Sequence, residues 1–110
     1  MSALVEIVRR AVHNYGRPIL LRRIGPPKVE VTILARVHSY APQDLVGGLQ
    51  QGDRKLVIAP LDLAAAGYPG MPKPGDQVVI DQRTAVVQGC EPRHDGLDLA
   101  RYDVWIRGGV

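Results

Sequence analysis

Apolar side chains between residues 2 and 15 recur with a helical period. Leu4, Val5, Ile7, Val8, Ala11, Val12 and Tyr15 fall at i, i+1, i+3, i+4, i+7, i+8 and i+11, one face of an amphipathic helix. Ser2 is placed to cap that helix and Gly16 to end it, with Arg9, Arg10, His13 and Asn14 on its other face. After Pro18 the period changes to two. Residues 19–24 read as a strand, broken by Gly25-Pro26-Pro27. Residues 28–38 alternate over their whole length, with Val29, Val31, Ile33, Ala35 and Val37 on one side and Glu30, Thr32, Leu34, Arg36 and His38 on the other. Such alternation predicts a long, half-buried antiparallel strand.

Further strands are predicted at 55–59, in a hairpin over 77–90 turning at Asp81-Gln82-Arg83, and at 99–108. In the last of these Ala100, Tyr102, Val104 and Ile106 face one way, and Arg101, Asp103, Trp105 and Arg107 the other. Residues 61–67 form one or two helical turns ending at Gly67, and 93–96 a turn. With five or six short strands in 110 residues, the expected fold is mainly β. It is a small, partly open β-barrel or sandwich with an N-terminal helix and one short inserted helical turn. One domain is expected over 1–110, with the helix at 1–16 and the barrel at 17–110, from which loops 43–53 and 68–76 project. Aromatics are only 5% of the chain and Phe is absent, so Val, Leu, Ile and Ala must fill the core.

Charge is unevenly placed. The net charge is +3. Residues 1–40 hold seven basic side chains against Glu6 and Glu30, whereas 41–110 hold seven basic against nine acidic. Eleven of the fourteen basic residues are Arg, a residue suited to interfaces and to carboxylate or phosphate contacts. The asymmetry points to a polyanion or a charged partner. Cys90 is the single cysteine, so no intrachain disulfide is expected. Glu6, Arg9 and Arg10 interrupt the first segment, which does not read as a secretory leader, and no apolar run approaches a membrane span of about 18 residues. A soluble protein made in the cytoplasm is expected.

Catalytic and metal-binding patterns are weak. Gly47, four residues and Gly52 approach a phosphate loop, but Asp53 and Arg54 stand where Lys and a hydroxyl residue are needed, and a strand follows instead of a helix. His13, His38, His94 and Cys90 do not fall at ligand spacing. Ser39 and His38 point to opposite faces of one strand and do not form a nucleophile–base pair. Asp76, Asp81, Asp95 and Asp98 lie in turns, where Asp is first a turn-former. The sequence thus nominates no catalytic residue, no cofactor-binding residue and no metal ligand. Nucleic-acid binding by a small basic barrel remains open, with Trp105 and four Tyr as a thin stacking platform.

The stretch VGGLQQG (46–52) has no chemical role of this kind. Its glycines permit bending and its glutamines are neutral, while Leu45, Val46 and Leu49 need cover that the loop itself cannot give. A neighbouring subunit would supply that cover.

The C-terminal half resembles the end of the bacteriophage head–tail joining proteins, also called head-closure, stopper or neck proteins. The residues that carry the resemblance are Gly75-Asp76, Val78, Ile80, Asp81 to Arg83, Val87, Gly89, Pro92, Tyr102 and Arg107-Gly108. More loosely, residues 45–70 resemble a subset of prophage neck proteins. Gln82 departs from the pattern, which has Gly there, and the N-terminal helix is not a constant part of it. The resemblance implies a structural virion protein of the neck. It would form a six- or twelve-fold ring of copies between the portal or adaptor protein and the tail protein, with packaged double-stranded DNA passing through. It implies no enzyme chemistry, no cofactor and no membrane.

In that frame the candidate channel loop is Gly47, Gly48, Leu49, Gln50, Gln51 and Gly52. The candidate partner interface is Arg9, Arg10, Arg22, Arg23, Tyr68, Met71, Trp105 and Arg107. Of the two loops, 43–53 is the expected gate, because its glycines let it move, and Pro-rich 68–76 the expected fixed docking surface. Two alternatives are a single-strand nucleic-acid-binding barrel and another ring of the tail connector, such as a tail terminator.

Overall fold

A computed structural model describes residues 3–26, 28–39 and 52–108. Helix α1 (Ala3–Tyr15) is followed by β1 (Arg17–Arg23), β2 (Val29–Ser39), β3 (Arg54–Ile58), helix α2 (Pro60–Ala65), β4 (Gln77–Ile80), β5 (Arg83–Asp95) and β6 (Asp98–Gly108). The expected Ser2 cap lies outside the described residues.

All strand pairs are antiparallel, in the order β1-β2-β3-β6-β5-β4. The barrel is closed, because β4 returns to pair with β1 through Leu20↔Val79, Leu21↔Val78 and Arg22↔Gln77. The mainly β fold expected from the sequence, a small barrel with an N-terminal helix and one short inserted helix, is thus present, and only its degree of closure differs from expectation. Closure gives Leu20, Leu21 and Arg22 of β1 and the facing residues of β4 partners on both sides, and it shortens the exposed edge that an open sheet would carry.

Alternation explains the filling. Ile19 and Leu21, Val31, Ile33 and Ala35, Leu56 and Ile58, Val78 and Ile80, Ala85 and Val87, Val104 and Ile106 all point inward. Branched aliphatic side chains fill a narrow barrel without aromatic rings. Leu63 of α2 and Tyr68 complete this core.

Helix α2 starts with Pro60 in its first turn. It ends where Tyr68 N–H donates to the Leu63 carbonyl and Gly67 N–H to the Ala64 carbonyl. Gly67 takes φ +89°, so only glycine closes this Schellman turn without strain, and the turn delivers Tyr68 into the core beside Leu63.

Helix α1 packs on β2 and β6 and buries Val5 and Val12. At its end Gly16 N–H donates to the Val12 carbonyl, and a Cβ at Gly16 would run into the carbonyls of Val12 and Ala35.

Two turns differ in detail from expectation. Ile80 pairs with Arg83, leaving the two-residue turn Asp81-Gln82 with φ of +50° and +67°. This is a type I′ turn made without glycine. β5 runs on to Asp95, so the next turn is Gly96-Leu97 and not 93–96. Pro92 does not stop the strand because β5 has by then outrun β4, and a proline is tolerated where only one neighbour pairs.

Candidate functional site

Two buried aspartates organise the polar parts of the molecule. Asp76 follows the Pro-rich loop 68–76 and precedes β4. Its Oδ2 accepts from Tyr68 Oη (2.6 Å), from Lys73 N–H (2.9 Å) and from Arg23 Nη2 (3.3 Å). Arg23 also donates to the carbonyls of Pro69 (2.6 Å) and Met71 (2.8 Å), and its guanidinium lies 4.6 Å from the Tyr68 ring centroid. The loop is thus pinned to β1 by one arginine with three anchor points. Burial, and then the hydrogen bond and charge of Asp76, push the Tyr68 hydroxyl far above its ordinary pKa, so it stays a donor.

Asp53 precedes β3. Its carboxylate accepts from Trp105 Nε1 (2.7 Å) and from Arg107 Nε and Nη2 (both 3.0 Å). The hydrogen bonds to Asp53 raise the Arg107 pKa further, against a smaller opposing effect of burial. Arg107 lies 5.4 Å from the centroid of the Trp105 ring. Asp53 is 3% exposed, so the exit of the 40–53 connection is tied to β6.

The outer wall of β2, β3 and β6 is cationic at this end. His38 pairs with Lys55, and Lys55 with Trp105, across three strands. Burial, followed by the charges of Arg36, Lys55 and Arg101, lowers the His38 pKa, and Asp103 opposes them. Asp103 lies within 3.3 Å of Arg93 and 3.1 Å of Arg101. Tyr15, exposed at the end of α1, lies beside Arg36. A shallow, mostly apolar groove of about 550 Å³ runs between α1, α2 and β6, lined by Val5, Pro60, Leu61, Ala64, Leu99 and Tyr102 with Asp98 among them.

The expected site residues fall into separate places. Gly47, Gly48, Leu49, Gln50 and Gln51 lie outside the described residues. Gly52 is exposed with φ +94°. Arg10 is exposed on α1, while Arg9 lies 3.2 Å from Asp62 of α2, which also bonds His13 Nε2 at 2.8 Å. Arg22 donates to Gln77 Oε1 and pairs with Glu30. Met71 is exposed on the pinned loop. Trp105 and Arg107 share the Asp53 cluster on the outer wall. Tyr68 is buried, so it belongs to the interior and not to an outer contact face, whereas Arg23, 12% exposed, lines a surface pocket with Arg22, Ile24, Lys28 and Glu30. The Schellman turn at Gly67 is the physical reason, since it aims Tyr68 at the core.

Sequence reasoning missed the roles of Asp53 and Asp76, because their arginine and indole partners lie more than fifty positions away. Cys90 is half-buried beside the core, and burial pushes its thiol up to about 11. Among the described residues no group of three or more potential metal ligands comes together, and no helix is long and apolar enough to cross a membrane. No family model, no curated protein and no solved structure matches this chain.

Proposed function

We propose that this chain is a structural neck protein of a tailed bacteriophage. In this reading copies form a ring between the portal or adaptor and the tail. The 43–53 loop closes the DNA channel, and the 68–76 loop docks a neighbouring component.

The observation that carries the reading is the base of the 40–53 connection. Ser39 pairs with Arg54, and Asp53 is buried beneath Trp105 and Arg107, so both ends are fixed to a closed barrel. The gate assignment itself rests on the Gly- and Gln-rich sequence between those two ends. Loop 68–76 is held in place. Arg23, Tyr68 and Asp76 immobilise it, which suits a fixed docking surface carrying Met71. Leu4, Ile7, Leu61 and Leu97 are exposed, and packing between copies would cover them.

Deletion of residues 50–52 tests the gate. Filled heads carrying the deletion are expected to assemble and then leak DNA. Heads that stay sealed would remove the gate assignment.

A further inference from the structure

The cationic wall carries an inference independent of the neck reading. Tyr15 lies beside Arg36, Arg36 and His38 share the outer face of β2, and His38, Lys55 and Trp105 are successive cross-strand neighbours. The fold therefore brings Tyr15 and Trp105, ninety positions apart in sequence, to one face with cations between them. Three adjacent strands span roughly 10 Å, the reach of a few nucleotides.

Charge on this wall is layered. The carboxylates of Asp53 and Asp103 are almost covered, at 2% and 9% exposed, whereas their partners Arg107, Arg101 and Arg93 lie outside them at 34%, 38% and 53%. Glu91, on β5 beside Arg93, is the exposed carboxylate among these residues. Trp105 is held in one orientation by Asp53, and its ring lies over Gly89, where an added Cβ would make ordinary contact with it at 3.8 Å. A fixed indole, an exposed phenol and cations between them form the stacking-and-phosphate arrangement that holds a flexible strand.

We infer that the outer wall of β2, β3 and β6 binds a short single-stranded nucleic-acid segment, its bases stacking on Trp105 and Tyr15 and its phosphates meeting Lys55 and Arg36. Trp105 is the only tryptophan in the chain, so its fluorescence reports on this face directly. The full chain is titrated with a short oligo(dT) and, separately, with a duplex of equal length.

Saturating quenching by oligo(dT) is expected. For about two phosphate contacts it should weaken about sevenfold as salt rises from about 50 to about 200 mM. The double substitution Lys55→Gln and Arg36→Gln should weaken binding about tenfold. Tyr15→Ala, on an exposed side chain, should weaken it about fivefold or more while leaving the melting temperature close to that of the parent. No quenching, or quenching unaffected by Lys55→Gln with Arg36→Gln and by Tyr15→Ala, overturns the inference. Duplex binding as tight as oligo(dT) binding also overturns it and makes the wall a general polyanion surface.

Discussion

Asp76 and Asp53 are each held by an aromatic donor and by an arginine that lies over that aromatic ring, yet their surroundings differ. Around Asp76 the tyrosine is part of the core and the arginine is nearly buried. Around Asp53 the indole and the arginine lie on the outer wall, with Arg107 34% exposed. Removing the carboxylate from the first cluster strands a buried hydroxyl and leaves a nearly buried cation with the loop carbonyls alone. In the second, the abandoned groups turn to water. The same three-part device therefore fixes a loop into the core in one place and presents an oriented indole at the surface in the other.

The sharpest test of the contrast is a pair of substitutions. Asp76→Ala should cost about 3 kcal/mol, the low end of the range for removing one partner of a buried ion pair, because Arg23 keeps the Pro69 and Met71 carbonyls. Asp53→Ala should cost about 1–3 kcal/mol, closer to a lost set of charged hydrogen bonds. Denaturant unfolding measures both, and an Asp53→Ala cost equal to or above that of Asp76→Ala breaks the comparison. Within the inner cluster, Tyr68→Phe removes only the hydroxyl and should cost about 1–2 kcal/mol. It leaves Arg23 on the loop carbonyls, so loop 68–76 should keep its protease resistance.

A pH series probes the outer wall. His38 has its folded pKa lowered below 6.5, chiefly by burial and then by Arg36, Lys55 and Arg101. The unfolded chain therefore takes up this proton more readily. The stability linked to His38 is present above about pH 6.5 and is lost as pH falls through its folded value. His38→Asn should flatten the stability slope in that window, and an unchanged slope would deny that burial and the nearby cations together disfavour the imidazolium.

The smallest effect is expected at the turn that follows Asp76 and β4. Asp81 and Gln82 both hold positive φ, a conformation costing about 1 kcal/mol for a residue with a Cβ. Gln82→Gly should raise stability by about 0.5 kcal/mol once the greater freedom of the unfolded chain is counted.

Much of the barrel was legible in the sequence because one strand face meets the core and the other meets water. The alternation of 28–38 and 99–108 placed Val31, Ile33, Ala35, Val104 and Ile106 on the inward side, where they are buried. Closure was not legible, since Leu21↔Val78 joins distant segments and leaves no local signature. The length of β5 was hidden by Pro92, which reads as a stop unless the missing neighbour strand is known. Asp53 and Asp76 looked like loop polarity because buried acceptors are recognised only with their donors, and those donors come mostly from other strands. The wall shared by Tyr15 and Trp105 likewise exists only after folding.

The neck reading is tested most directly by an electron-microscopic reconstruction of the particle that carries this chain, or of the chain mixed with a portal complex. A ring of copies around the DNA axis is predicted, with residues 43–53 turned inward and the 68–76 loop against the adjoining component. A chain that stays monomeric beside the portal and is absent from the neck would contradict it.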